Sequence, residues 1–259
     1  MKMLVWLWLA ATGIAAAAED PYVRGQAIAD AAQKKAEGYG DMQADARMHI
    51  RNGRGGEALR TLSIKLLDLP GPASRGLTIV TAPKDVKGTA LLTHTDDRGE
   101  NEQWLYLPAL KRVKRIASSG RSGPFMGSEF SYEDFSAQSP EKYRFKWLRE
   151  EQLDDLVCDV LERRPKDPAI SSYAWAQVWL DRSELRLQKV EFYDQQDALV
   201  KTLNVSGYQQ YKGRHWRAAK LFMLNARTRA ETELDWSGIQ FGAGLGERDF
   251  DLNSLAATR

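Results

Sequence analysis

From residue 41 almost to the C-terminus, apolar and polar residues alternate with a period of two. "MQADARMHI" sets Ala44, Ala46, Met48 and Ile50 against Gln43, Asp45, Arg47 and His49. That alternation is the mark of a half-buried strand, whose successive side chains point to opposite faces. "NGRGG" turns the chain into "EALRTLSIKLLDL", and "LTIVTAP", "TALLTHT", "EQWLYLP" and "KRVKRI" follow between turn-forming stretches. The second half continues with "KYRFKWLR", "LVCDVLERRP", "SYAWAQVWLD", "LRLQKVEFYD", "LVKTLNVSGYQQY", "HWRAAKLFMLN" and "TRAETELDW". "DRSE" and "DQQDA" read as hairpin connections. About eleven strands at this spacing, without helical patterns between them, exclude a doubly wound α/β fold. They predict a sandwich, a barrel or one large curved antiparallel sheet.

One helix precedes the strands. Asp20-Pro21 is a favourable N-cap and first-turn pair, and "YVRGQAIADAAQKKAEG" is rich in alanine. Val23, Ile28 and Ala31 fall near one face of it, and Gly38 and Gly40 end it.

The first eighteen residues have a different character. Lys2 supplies a charged start, an apolar run begins at Leu4, and Ala16-x-Ala18 is a small-residue cleavage signal. This predicts a cleaved secretory signal peptide over 1–18, since the run falls short of the about 20 apolar residues a membrane helix needs. Residues 19–259 are then read as a single exported domain, expected in the periplasm.

Net charge of +2 favours neither nucleic acid nor an acidic partner, and "KRVKRI" splits its charges between the two faces of a strand. The single Cys158, in "DDLVCDVL", permits no internal disulfide and reads as a buried thiol. His49, His94 and His215 are isolated, so neither a metal nor a cofactor is expected. "GAGLGE" (242–247) lacks the strand-then-helix setting of a dinucleotide loop.

Several strands are apolar or aromatic on both faces. "AWAQVWL" puts Trp175, Gln177 and Trp179 opposite Ala174, Ala176, Val178 and Leu180, and "EQWLYLP" puts Trp104 and Tyr106 opposite Leu105 and Leu107. A sheet with one solvated face alternates cleanly, so the second face here is either covered by other chain or lines a hydrophobic cavity. The segment "GPFMGSEFSYEDF" (123–135) carries four aromatic rings beside three carboxylates. It reads as a lid or plug of one or two helical turns, with Glu129, Glu133 and Asp134 on its outer side within reach of Lys111, Arg112, Lys114 or Arg115. Adjacent Glu133 and Asp134 do not make the facing carboxylates of a glycosidase.

"NEQWLYLPALKRVKRI", "GSEFSYEDF", "YAWAQVWLD" with "VEFYD", and "LNARTRAETEL" together resemble the LolA-like family of outer membrane lipoprotein-sorting proteins in the LolA/LolB superfamily, over roughly residues 20–252. That resemblance implies an incomplete antiparallel barrel, with an N-terminal helix and short lid helices over a hydrophobic cavity. It also implies a non-enzymatic carrier for a lipid or acylated protein cargo, passed between an inner-membrane exporter of the resistance-nodulation-division type and an outer-membrane acceptor. One departure stands out: carriers of the LolA type keep an arginine before a proline where this chain has Ala82-Pro83, which weakens lipoprotein sorting more than the fold. The lining expected of the cavity is Trp104, Tyr106, Phe125, Met126, Phe130, Trp147, Trp175, Trp179, Phe192 and Phe222. The competing readings are an envelope scaffold that binds no lipid and an envelope hydrolase with a dispersed site.

Overall fold

The structure, a computed structural model, describes residues 19–255, so the predicted signal peptide lies outside the described residues. Helix α1 (Pro21–Ala36) starts as its sequence suggests: the Asp20 carboxylate accepts the Tyr22 N–H at 2.8 Å, Pro21 occupies the first turn, and Lys34 and Lys35 sit in the last. Among the described residues no helix is long and apolar enough to cross a membrane.

Thirteen strands follow, and each of the alternating segments supplies one. They are β1 (Asp41–Arg51), β2 (Glu57–Asp68), β3 (Ser74–Ala82), β4 (Ala90–Thr95), β5 (Asn101–Leu107) and β6 (Arg112–Arg115) in the first half. The second half adds β7 (Tyr143–Leu153), β8 (Leu156–Pro165), β9 (Trp175–Asp181), β10 (Leu187–Tyr193), β11 (Leu199–Tyr211), β12 (His215–Asn225) and β13 (Glu231–Phe241). All lie in one antiparallel sheet of order β6-β5-β4-β3-β2-β1-β13-β12-β11-β10-β9-β8-β7. That is two more than the about eleven expected, since each of the thirteen alternating segments forms its own strand, down to the four-residue edge strand β6, which pairs fully with β5.

This order has a simple logic. β1 sits mid-sheet, and the chain meanders outward from it to β6 at one edge. Residues 116–142 then carry it to β7 at the far edge, from where it meanders back until β13 closes against β1. The two edges do not pair, so the sheet is open and curved rather than a closed barrel.

Ala46, Met48, Ile64, Leu91, Leu161, Val178, Leu203 and Met223 bring nearly every strand into one inner core. α1 packs against it through Ile28, Ala29 and Ala32. Its buried face is therefore Gly25, Ile28, Ala29 and Ala32, whereas Val23 and Ala31 are exposed. Close approach to β7 decides this: a Cβ on Gly25 would lie 2.6 Å from the Trp147 backbone nitrogen. Small residues are selected there over larger apolar ones.

The outer face is covered in two places, which accounts for the doubly apolar strands. Phe250 and Leu255 of the C-terminal segment pack on Leu77, Ala90, Leu92 and Tyr106. His94 Nε2 reaches the Phe250 carbonyl at 2.8 Å, and burial holds its imidazole below the usual value. Cys158, Val160 and Trp179 form a small outer cluster over β8 and β9. Burial pushes the Cys158 thiol up to about 11, with Asp181, Glu151 and Asp159 adding to it.

Candidate functional site

Because residues 116–142 join opposite edges of the sheet, they must cross its inner face. Phe125 is fully buried and lies 4.8 Å from the Phe135 ring and 6.0 Å from Tyr132. Phe130 and Phe135 join the same core. The segment is held by a backbone bond from Phe125 N–H to the Phe130 carbonyl at 2.7 Å, and by the Ser131 N–H donated to Asp134 at 2.7 Å.

Its carboxylates do not face water, contrary to the sequence expectation. Glu133 is buried and accepts the Ser172 N–H at 2.9 Å and the Ser172 hydroxyl at 2.7 Å. Asp134 meets Lys201 of β11 at 2.6 Å, with side chains 10% and 5% exposed, and Glu129 accepts from Asn225 Nδ2 at 2.8 Å. The basic strand β6 is not their partner; Arg115 pairs with Glu102 instead. A segment laid across a sheet turns its polar groups toward donors on that sheet, which proximity in sequence does not reveal. Burial alone would depress the Lys201 ammonium, but Asp134 and Tyr173 beside it more than offset this and its pKa is raised. Tyr173 itself is pushed up to about 12, by burial and then by Asp134. The segment is a locked plug.

Space remains beside the plug. A cavity of about 370 Å³ opens between α1, residues 138–140 and the inner face of β7 to β12. That is within the range of roughly 300–1,000 Å³ typical of small-molecule sites. Its floor is apolar: Ala29, Ala32, Phe145, Val178, Leu180 and Leu187. The α1 C-terminus and the turns after β9 and β11 meet at one end, where Lys35 pairs with Glu184 at 3.2 Å and Arg214 donates to the Gly38 carbonyl at 2.8 Å. Arg186, Arg214, Trp216 and Arg217 line the cavity at that end, and Arg163 lines it beside Phe145.

These arginines differ in their partners. Arg186 is bound to Asp181 at 2.8 Å, and its guanidinium lies 4.6 Å from the Trp216 ring. Asp181 is nearly inaccessible: burial would raise its pKa, but hydrogen bonds from Arg186, Ser183 and the Glu184 N–H bring it to about 2. Arg163 and Arg217 reach no carboxylate within 4.0 Å among the described residues. Arg217 rests 4.7 Å from the Tyr39 ring, and burial lowers its pKa while Tyr39 and Asp68 pull the other way. The Trp216 indole N–H is buried without an acceptor.

A second cavity of about 300 Å³ lies on the other side of the plug, between Phe135, Trp236 and β2 to β4, with Thr78, Thr93 and Thr95 in its wall. Between α1 and β7–β8, a depression of about 450 Å³ has charged walls in Arg144, Glu162 and Arg164. Among the described residues no group of His, Cys, Asp and Glu converges as a metal site.

The ten aromatic and methionine positions singled out in the sequence divide between the two faces. Phe125, Phe130 and Phe192 belong to the inner core, and Met126 and Trp147 pack against it. Trp104 and Tyr106 lie on the outer face beneath the C-terminal segment, and Trp179 in the outer cluster. Trp175 stacks on Tyr193 at 3.8 Å on the same side of β9 as Trp179, and Phe222 alternates with the inner Met223. None of the ten borders the 370 Å³ cavity. Sequence reasoning followed bulk, yet space is left where side chains are small. Ala29, Ala32 and Val178 carried that signal, and the alternation of β9 had already grouped Val178 with Leu180.

Residues 73–257 match a family model described as "uncharacterized protein". No protein of curated function matches the chain. The fold is similar to that of a domain from Vibrio parahaemolyticus described as an outer membrane lipoprotein-sorting protein, with 45% identity, TM-score 0.87, and coverage of 91% of this chain and 99% of that one. A DUF1329 family protein from Desulfovibrio piger is 27% identical at TM-score 0.86, over 91% of this chain and 99% of that one. A LolA superfamily protein from Nitrosomonas europaea, 22% identical at TM-score 0.70 over 88% and 98% of the two chains, shares the fold.

Proposed function

The chain belongs to the LolA-like DUF1329 family, and from that membership we propose that it is a periplasmic carrier sheltering the hydrophobic part of a lipid or lipid-modified cargo. The observation that carries this is the cavity under α1, whose floor of Ala29, Ala32, Phe145, Val178, Leu180 and Leu187 is apolar while its mouth is charged. Lipoprotein sorting, the role given to the Vibrio relative, supports the same class of cargo. Each buried methylene stabilises the complex by about 0.8 kcal/mol, so eight of them contribute on the order of 6 kcal/mol without covalent chemistry.

The movable wall in this reading is α1 rather than the plug. Residues 123–135 are bound into the core by rings and a buried ion pair. α1 is held by smaller and more exposed contacts: Arg24 over the Trp147 ring at 3.8 Å, Arg24 with Asp159 at 3.3 Å, and the Lys35–Glu184 pair. The exposed Lys35–Glu184 pair contributes only about 0–1 kcal/mol, and a partner protein that displaces the helix also has to separate the half-buried Arg24–Asp159 pair and the small apolar face of Ile28, Ala29 and Ala32. Transfer between an exporter of the resistance-nodulation-division type and an outer-membrane acceptor is part of the proposal and rests on the family resemblance.

The test is displacement. Folded protein should enhance the fluorescence of a hydrophobic probe, and a sixteen-carbon lipid should compete it away. Neither effect, in protein with an intact melting transition, would leave the scaffold reading in its place.

A further inference from the structure

Resting on the carrier reading above, we propose that the cavity under α1 selects an amphiphile with an acidic headgroup, a carboxylate or a phosphate, bound by Arg214 and Arg217 at the end where the turns after β9 and β11 meet the helix. The charge balance of the lining motivates this. Four arginines and Lys35 border the cavity against one carboxylate, Glu184, which Lys35 already engages at 3.2 Å. Arg186 is neutralised by Asp181 at 2.8 Å. Arg163, Arg214 and Arg217 reach no carboxylate within 4.0 Å among the described residues, and Asp68 acts on Arg217 only from beyond that distance, so the cavity carries a net positive charge.

Arg217 is the telling member. It is partly withdrawn from water between Tyr39 and Phe241, at 4.7 and 5.3 Å from their rings, and its guanidinium donates to the Trp216 carbonyl at 2.9 Å. A desolvated charge is costly unless it is paired and hydrogen-bonded, so an anionic group supplied by the ligand would complete the site. The Trp216 indole N–H, buried without an acceptor, is a second donor at the same end. Guanidinium groups suit this task because their fork of N–H donors matches a carboxylate or phosphate, and such charge-assisted bonds are about twice as strong as neutral ones. The apolar floor then takes the tail, running from Leu187 and Leu180 past Ala32 toward Phe145. This orientation puts the headgroup beside the α1 C-terminus, where displacement of the helix would free it first.

The experiment compares headgroups on one tail. Palmitate, hexadecyl phosphate, hexadecanol and hexadecyltrimethylammonium compete for a bound hydrophobic probe on the mature full-length protein. Palmitate or hexadecyl phosphate, or both, should bind about tenfold or more tightly than hexadecanol, as expected of charge-assisted hydrogen bonds. The cation should bind weakest. The better of the two anions tells a carboxylate from a phosphate ligand. Arg217→Gln and, separately, the exposed Arg214→Gln should erase most of the advantage of the anions over hexadecanol, with melting curves confirming the fold. Equal binding of all four ligands overturns the headgroup proposal and leaves the carrier reading intact. Failure of all four to bind overturns the carrier reading itself. An anion preference that survives both substitutions also overturns the assignment to this end of the cavity.

Discussion

Replacing Phe125 by alanine separates a plug from a lid. The ring is 0% exposed, sits 4.8 Å from Phe135 and 6.0 Å from Tyr132, and belongs to the inner core shared by nearly every strand. Transfer of a buried phenylalanine contributes about 1.5–3 kcal/mol, and each well-placed aromatic pair adds about 0.5–1.5. The void left behind raises the loss further, so Phe125→Ala should destabilise the protein by about 3–5 kcal/mol. For a domain of this length, each kcal/mol moves the midpoint of thermal unfolding by about 2–4 °C, which places the shift at roughly 6–20 °C. Urea unfolding followed by intrinsic tryptophan fluorescence reads the loss as a lower midpoint at unchanged slope. A mobile lid behaves otherwise: its ring can reseat or swing out, and stability barely changes while cargo affinity falls. A loss below about 1 kcal/mol, or affinity falling with no loss of stability, would refute the plug.

Four further outcomes follow from the same geometry. Lys201→Met should cost about 3–5 kcal/mol by stranding the Asp134 carboxylate in the core, and adding Asp134→Leu should recover a large part; a single mutant as stable as wild type in urea would show the pair to be unimportant. Gly25→Val should lower stability and weaken cargo binding together, because its Cβ would meet the β7 backbone at 2.6 Å and push α1 off the sheet; unchanged probe binding would argue against α1 as the cavity wall. Asp181 has its folded pKa lowered from 3.8 to about 2, so its contribution is present above pH 3.8 and fades as pH falls through 2. Asp181→Asn should flatten the acid limb of the stability–pH curve in that window, and an unaltered limb would contradict the assignment. The Cys158 thiol, raised to about 11 from 9.0, stays protonated as pH rises past 9 while the unfolded chain ionises. Native protein should therefore resist thiol reagents until it unfolds, and should lose stability between those two values; rapid labelling at neutral pH would show the thiol to be accessible.

Local order was determined by the sequence alone. Period-two alternation placed the strands, because a pleated strand half-buried on a sheet admits no other pattern. Asp20-Pro21 and the two glycines bounded α1 through capping chemistry that acts within a few residues. Alternation also sorted β9 into its two faces, Val178 with Leu180 and Trp175 with Trp179. Which face looked inward was a matter for the tertiary structure, since period two is blind to the direction of sheet curvature. Trp104 and Tyr106 became outer-face residues only because the C-terminal segment, about 145 residues further on, returns to cover them. The carboxylates of 123–135 found Lys201, Ser171 and Ser172 rather than the basic strand just before them, because the crossing between sheet edges carries them to β11 and the loop that leads into β9. The cavity was decided in the same way. It exists where small residues of α1 and β9 leave space and arginines from separate hairpins converge, and such a void is defined by what surrounds it rather than by any one segment.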